Sequence, residues 1–172
     1  MNAGRVIVLE LTRIEAAHLA GLVSQFAELV HDSSNPTADP AIGRLVPDAY
    51  ADDAAAARDF RQLTEGDLLS RRRADAALVL GSLQDAAQIP DDPGSPVLLE
   101  ETEIRLDPTA VQAWMRTLAA IRLVLASRLG IEGPEDHDDD DPRFGIYDWL
   151  GYRLHGLVTA SDGEERAGFR GS

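Results

Sequence analysis

Two arginines lie inside helical patterns where apolar side chains are expected. Arg72 falls within one apolar stripe and Arg122 within another. The stripes consist of Leu68, Ala76, Val79, Leu83 and Ala86, and of Val111, Trp114, Leu118, Ile121, Leu125 and Leu129. Because an unpaired guanidinium in a dry core costs several kcal/mol, the fold has to supply acidic partners for these residues or open a polar cleft around them.

Two functional interpretations of these arginines remain open at the level of sequence, besides simple extension of the side chains to solvent. In the first, they form structural ion pairs, and Asp48, Asp53 and Asp148 are the candidate partners. In the second, Arg72 and Arg122 together bind a carboxylate or a phosphate, which suits the planar guanidinium fork. The second interpretation makes the chain an anion-binding or enzymatic domain.

Composition excludes several classes of function. The chain has 172 residues, of which 44% are hydrophobic, so one globular domain is expected. It contains no cysteine, and all 16 basic residues are arginine, which removes thiol, disulfide and lysine chemistry. A net charge of −14 opposes binding to nucleic acid or to an anionic membrane. No apolar run is long enough for a membrane span, and no signal peptide is evident, so we expect a cytoplasmic protein.

Hydrophobic periodicity predicts a mainly α single domain over residues 1–172, with about five helices and a two-stranded β-ribbon. The ribbon is expected to pair residues 5–11 with residues 97–106. The helices are expected over residues 12–31, 53–63, 64–87, 107–129 and 146–160, and the stripe of the first is Leu19, Leu22, Phe26 and Leu29. Thr64 with Asp67 forms a capping pattern that divides the second helix from the third. The acidic segment 132–143 is expected to be a solvated or disordered loop, and the tail 161–172 to be frayed.

The last predicted helix carries two aromatic residues away from its apolar face. Trp149 and Tyr152 either cover a neighbouring element or form an interface, where such residues are favoured. His137 lies within an acidic run, which we interpret as a solvated loop, so no metal centre and no cofactor is expected. The sequence contains no catalytic triad, phosphate-binding loop or paired-carboxylate signature that would indicate an enzyme.

Several segments together resemble an actinobacterial family known as domain of unknown function 2017. They are Arg-Leu-Val-Pro-Asp-Ala-Tyr-Ala-Asp-Asp at 44–53, the segment 60–68, Ala113-Trp114, the segment 121–130, and Tyr-Asp-Trp-Leu-Gly at 147–151. The resemblance implies a basic residue at the position of Arg72, which this chain has. It also implies glutamine near Leu154 or His155, where this chain departs. The family has no established activity, and its genes often lie beside the adaptor of the Clp protease, which implies a role near regulated proteolysis.

We therefore expect a non-enzymatic interaction or regulatory protein, linked to Clp-dependent proteolysis through the resemblance alone. Its partner is expected to be a second copy of the chain or another protein, bound through Trp149 and Tyr152, with no nucleic acid or membrane involved. The alternative is an anion-binding or enzymatic domain centred on Arg72 and Arg122.

Overall fold

The architecture is mainly α, as the sequence predicts. A computed structural model describes residues 4–32, 39–45 and 54–169. Within these ranges the helices are α1 (Arg13–Asp32), α2 (Pro40–Gly43), α3 (Ala54–Leu83), α4 (Pro108–Leu129) and α5 (Gly145–Phe169), and the strands are β1 (Ile7–Thr12) and β2 (Glu101–Leu106). None of the helices in the described part of the chain is both long and apolar enough to cross a membrane.

The predicted β-ribbon is confirmed. Strands β1 and β2 are antiparallel, with Ile7 opposite Leu106. The inward side chains Leu11, Ile104 and Leu106 are buried against the helices, which such a small ribbon needs in order to be stable. The second strand begins later than predicted because Pro96–Leu99 form a 3₁₀ turn, in which the Ser95 side chain accepts a hydrogen bond from the backbone N–H of Val97.

The main error of the sequence prediction concerns α3. One continuous helix, Ala54–Leu83, takes the place of the two helices predicted to divide at Thr64. Gly66 weakens a helix interior by only about 1 kcal/mol, and α3 packs along both α1 and α4. Burial of a single Val or Leu side chain is worth about 1.5–3 kcal/mol, so packing overrides the local capping pattern. The described residues nonetheless contain five helices, the predicted number, because Pro40–Gly43 forms a one-turn helix capped by Asp39.

The core lies where α1, α3, α4 and the ribbon meet. Its centre is the indole of Trp114, which is fully buried on α4. On α1 the buried stripe is rotated relative to the prediction and consists of Ala16, Leu19, Val23, Phe26 and Val30. Leu22, which the sequence placed in the core, therefore lies at the side of α1 that is turned towards α5.

Helix α4 is central, with α3, α2 and α5 packed on it. It starts at the predicted Asp107–Pro108 cap and ends at Gly130, whose φ of 72° is the left-handed conformation that favours glycine. The acidic segment that follows contains two 3₁₀ turns, Pro134–Asp136 and Pro142–Phe144. Helix α5 then continues to Phe169, past the end that the sequence predicted near residue 160.

Candidate functional site

Arg122 lies in a slot on the surface of α5. Its Nε donates a hydrogen bond to the carbonyl oxygen of Tyr147 over 3.2 Å, and the guanidinium stacks 4.1 Å from the centre of the Tyr147 ring. A Cβ atom at Gly151 would come within 3.0 Å of the guanidinium. Tyr147 and Gly151 are four residues apart and so share one face of the helix. The absence of a side chain at 151 thus lets Arg122 lie flat between them.

Asp148 has a histidine as its partner where the sequence suggested an arginine. Its Oδ1 lies 2.6 Å from Nε2 of His137, and the other ring nitrogen of His137 lies 3.3 Å from Oδ1 of Asp139. The imidazole is packed beside two aromatic rings, with Phe144 at 5.0 Å and Tyr147 at 6.0 Å between centroids. Residues from the acidic segment and from the first turn of α5 thus form one cluster.

A cavity of about 410 Å³ opens beside this cluster. Its walls include Arg122, Glu132, Pro134, His137, Tyr147 and Asp148. The sequence predicted Arg122 and Asp148 as members of one polar site, and the structure places both on this cavity. The described walls provide imidazole, carboxylate and guanidinium groups, which can bind ions or hold a proton, but no serine, cysteine or lysine nucleophile.

Arg72 lies elsewhere, between α3 and α4. Its Nη1 donates a long hydrogen bond of 3.5 Å to the carbonyl oxygen of Arg116. Positions 116 and 122 differ by about 9 Å in rise and by about 120° in direction along a helix. Arg72 therefore contacts α4 on a different face from the one that carries Arg122. Burial lowers the pKa of the Arg72 guanidinium, and the charge of Asp75 opposes that effect. The suggested partners Asp48 and Asp53 lie outside the described residues.

The ion pair that joins α3 to α4 involves residues that the sequence prediction missed. Asp75 is only 8% exposed and accepts two hydrogen bonds from Arg116, of 2.8 and 3.0 Å. The hydrogen bonds that Arg116 donates to Asp75 raise the pKa of the Arg116 guanidinium. Asp75 immediately precedes the buried Ala76, and this proximity to the apolar stripe was the available sequence signal.

Trp149 and Tyr152 have different environments on α5. The indole Nε1 of Trp149 donates to Oε1 of Glu15 over 3.3 Å, so Trp149 covers the start of α1. Tyr152 is 71% exposed and lies beside the guanidinium of Arg153. Arg153 in turn forms an ion pair of 3.2 Å with Glu15.

Glu15 is the acidic group that holds α1 and α5 together. Its carboxylate also accepts hydrogen bonds from the backbone N–H and the hydroxyl of Thr12, which confirms the predicted capping box. Partial burial alone would raise the pKa of the Glu15 carboxyl, but the hydrogen bonds from Thr12 and the charge of Arg153 outweigh it and lower that pKa.

A groove of about 660 Å³ separates the remaining parts of α1 and α5. Its walls are mostly apolar and include Leu22, Gly145, Ile146 and Trp149, with His18 and Gln25 at the α1 side. Ile146 is 53% exposed. The two helices pack chiefly on other partners, α1 on α3 and α5 on α4, so the groove is a gap between two separately supported walls.

These features define a mainly α protein with an apolar interhelical groove and, next to it, a histidine–carboxylate cluster at the start of the last helix. The family model described as a domain of unknown function (DUF2017) matches residues 1–161, so the chain belongs to that family. Neither a curated protein nor a solved structure matches the chain.

Proposed function

We propose that this protein is a non-enzymatic interaction protein that binds a helical segment of another protein in the groove between α1 and α5. The observation that carries the proposal is the half-exposed Ile146 beside Trp149, in an apolar groove with a wall on each helix. An amphipathic helix lays its apolar face into a groove of this kind. Trp149 supplies the aromatic contact area that dominates many protein interfaces.

The negative charge of the chain indicates which kind of partner helix the groove binds. The whole chain carries a net charge of −14, and the groove face of α1 continues in the helical direction to the exposed Glu28 and Asp32. A partner helix with lysine or arginine beside its apolar face is complementary to this surface, whereas a second copy of the chain brings like charge. We therefore favour a basic amphipathic segment over a homodimer as the occupant.

The wider role that we propose is regulatory, in the cytoplasm, and linked to Clp-dependent proteolysis through the gene neighbourhood that the family resemblance implies. An anion site shared by Arg72 and Arg122 has less support, because Arg72 contacts α4 on a different face from the one that carries Arg122. The guanidinium of Arg122 is also already engaged by the ring and the carbonyl oxygen of Tyr147.

The groove can be tested by the fluorescence of Trp149. The chain has two tryptophans, so the variant Trp114→Phe leaves Trp149 as the only tryptophan, which can be excited selectively at wavelengths where tyrosine does not absorb. The probe is an amphipathic Leu/Lys peptide of about 18 residues, and its control is a peptide of the same composition with the helical periodicity scrambled. We expect a saturable blue shift of Trp149 emission with the amphipathic peptide and none with the scrambled one.

Two matched variants distinguish groove binding from general attraction to an acidic protein. Ile146→Asp places a charge in the groove and should weaken peptide binding by about tenfold or more, or about 1.4 kcal/mol. Leu99→Asp adds the same charge at a side chain that is 72% exposed and is not part of the groove, and should leave binding nearly unchanged. Equal binding by both variants would refute the proposal. So would a dimer in light scattering that Ile146→Asp dissociates, because a second copy would then occupy the groove.

A further inference from the structure

We propose that His137, Asp139 and Asp148 form a binding site for a divalent transition-metal ion such as Zn²⁺. The three side chains offer one ligand atom each, and these atoms lie within 4.8 Å of one another. A tetrahedral ion with bonds of about 2.0–2.2 Å holds its ligand atoms about 3.3–3.6 Å apart. To admit the ion, the Asp148 carboxylate has to move away from Nε2 of His137, which lies 2.6 Å from it, and the Asp139 carboxylate has to rotate towards the same nitrogen.

The position of the ion is limited by the geometry of the imidazole, whose two nitrogens lie on different edges of the ring. A single ion cannot bind both ring nitrogens, so it occupies the edge where Nε2 of His137 faces Asp148 at 2.6 Å. The carboxylate of Asp139 is 94% exposed and can rotate from the other edge to become the third ligand. Three protein ligands with open positions for water are the arrangement of an accessible zinc site rather than a closed structural one.

The ligands are held from two independent parts of the fold. Asp148 lies in the first turn of α5. The ring of His137 is fixed by packing beside Phe144, which is itself buried, and beside Tyr147. Two of the three ligands are thus oriented before an ion arrives, which reduces the entropy lost on binding.

The local charge favours a cation. Seven carboxylates lie between Glu132 and Asp141 along the chain. The nearby guanidinium of Arg143 is paired with the carboxylate of Asp141 at 2.6 Å. Arg122 opposes a cation, but its guanidinium is directed onto the Tyr147 ring. The imidazole distinguishes the site from a simple acidic cluster, since nitrogen ligands favour Zn²⁺, Ni²⁺ or Cu²⁺ over Ca²⁺ or Mg²⁺.

The test is calorimetric titration of the chelator-treated full chain with ZnCl₂, repeated with CaCl₂. We expect one Zn²⁺ per chain and much weaker binding of Ca²⁺. His137→Gln and Asp148→Asn should each weaken Zn²⁺ binding by about tenfold or more. The matched control is Asp140→Asn, which removes a charge from the same acidic run without touching a ligand, and should change the affinity by less than about threefold.

A second measurement covers the case in which a ligand variant unfolds. Zn²⁺ that binds only the folded chain raises its melting temperature in proportion to ln(1 + [Zn²⁺]/Kd). At a Zn²⁺ concentration near the Kd of the native chain, His137→Gln should therefore strongly reduce this rise, while Asp140→Asn retains it. Circular dichroism confirms that each variant is folded. Weak binding of several ions, with equal losses in His137→Gln and Asp140→Asn, would overturn the proposal and identify a diffuse counter-ion effect of the acidic run.

Discussion

The slot that holds Arg122 leads us to predict that a glycine-to-alanine substitution in α5, which normally stabilises a helix, destabilises the protein at position 151. Replacement of glycine by alanine inside a helix normally stabilises it by about 1 kcal/mol. At Gly151 the new methyl group would lie 3.0 Å from the guanidinium of Arg122, whereas carbon atoms pack best at about 3.5–4.0 Å. The guanidinium therefore has to shift by a few tenths of an ångström, which stretches the hydrogen bond of its Nε, already 3.2 Å long, beyond the usual range of about 2.7–3.2 Å.

The cost of that displacement follows from the contacts it breaks. The hydrogen bond from Nε of Arg122 to the carbonyl oxygen of Tyr147 is worth about 1 kcal/mol. Stacking on the Tyr147 ring adds about 0.5–1 kcal/mol in this half-buried position. The sum exceeds the helix-propensity gain, so Gly151→Ala should lower the free energy of unfolding by about 0.5–1 kcal/mol.

Gly156 provides the matched control on the same helix. A Cβ atom there would meet nothing within 4 Å, so Gly156→Ala should stabilise by about 1 kcal/mol. In an Arg122→Ala background, Gly151→Ala should stabilise as well, which gives a coupling of about 1.5–2 kcal/mol between positions 122 and 151. Urea denaturation followed by circular dichroism measures these differences. Equal stabilisation by Gly151→Ala and Gly156→Ala in the native background would refute the inference that Arg122 packs against Gly151.

Three further predictions concern charged groups. Asp75→Ala should lower the free energy of unfolding, measured by denaturant, by about 2 kcal/mol, because two charge-assisted hydrogen bonds are lost while Arg116 can turn to solvent. If the same loss is measured in an Arg116→Met background, the ion pair is not its cause. The lowered pKa of Glu15 means that its carboxylate stabilises the fold at neutral pH and that this contribution is lost as pH falls through the folded pKa, below the ordinary value of 4.5. In Glu15→Gln the melting temperature should therefore fall less between about pH 5 and about pH 3 than it does in Glu28→Gln, which changes an exposed residue of the same helix. Parallel curves of melting temperature against pH for the two variants would exclude the effect. Arg72→Met should lower the free energy of unfolding by about 3 kcal/mol or more if Arg72 has the buried acidic partner that the sequence predicts. A decrease of less than about 1 kcal/mol would rule that partner out.

The features that the sequence predicted correctly depend on neighbouring residues. The capping box at Thr12 and Glu15 and the cap at Asp107 involve side chains within three positions of the backbone groups that they bind. The left-handed cap at Gly130 needs only a residue that tolerates positive φ. Such interactions can be predicted locally, and so the ends of α4 and the start of α1 were predicted within one residue.

The features that the sequence could not predict depend on packing between distant segments. The Thr64 cap pattern was outweighed by burial of α3 on α1 and α4. The partner of Asp75 lies 41 residues away, and no local pattern selects Arg116 over another arginine of the chain. His137 and Asp148 are 11 residues apart, and the 3₁₀ turn Pro142–Phe144 lies between them, where the chain turns back so that the ring meets the helix.

The five residues Tyr147 to Gly151, which carry part of the family resemblance, combine these long-range contacts in one short segment. At about 100° per residue, Tyr147 and Gly151 point towards Arg122, Asp148 towards His137, and Trp149 towards the groove, while Leu150 is fully buried in the core. One and a half turns of helix thus face four different neighbours. Each function proposed for this region can therefore be removed by a single substitution that leaves the other faces in place. Ile146→Asp should weaken peptide binding by about tenfold or more while Zn²⁺ binding is retained, and Asp148→Asn should weaken Zn²⁺ binding to the same extent while peptide binding is retained. Loss of both properties in either variant would show that the start of α5 acts as one site.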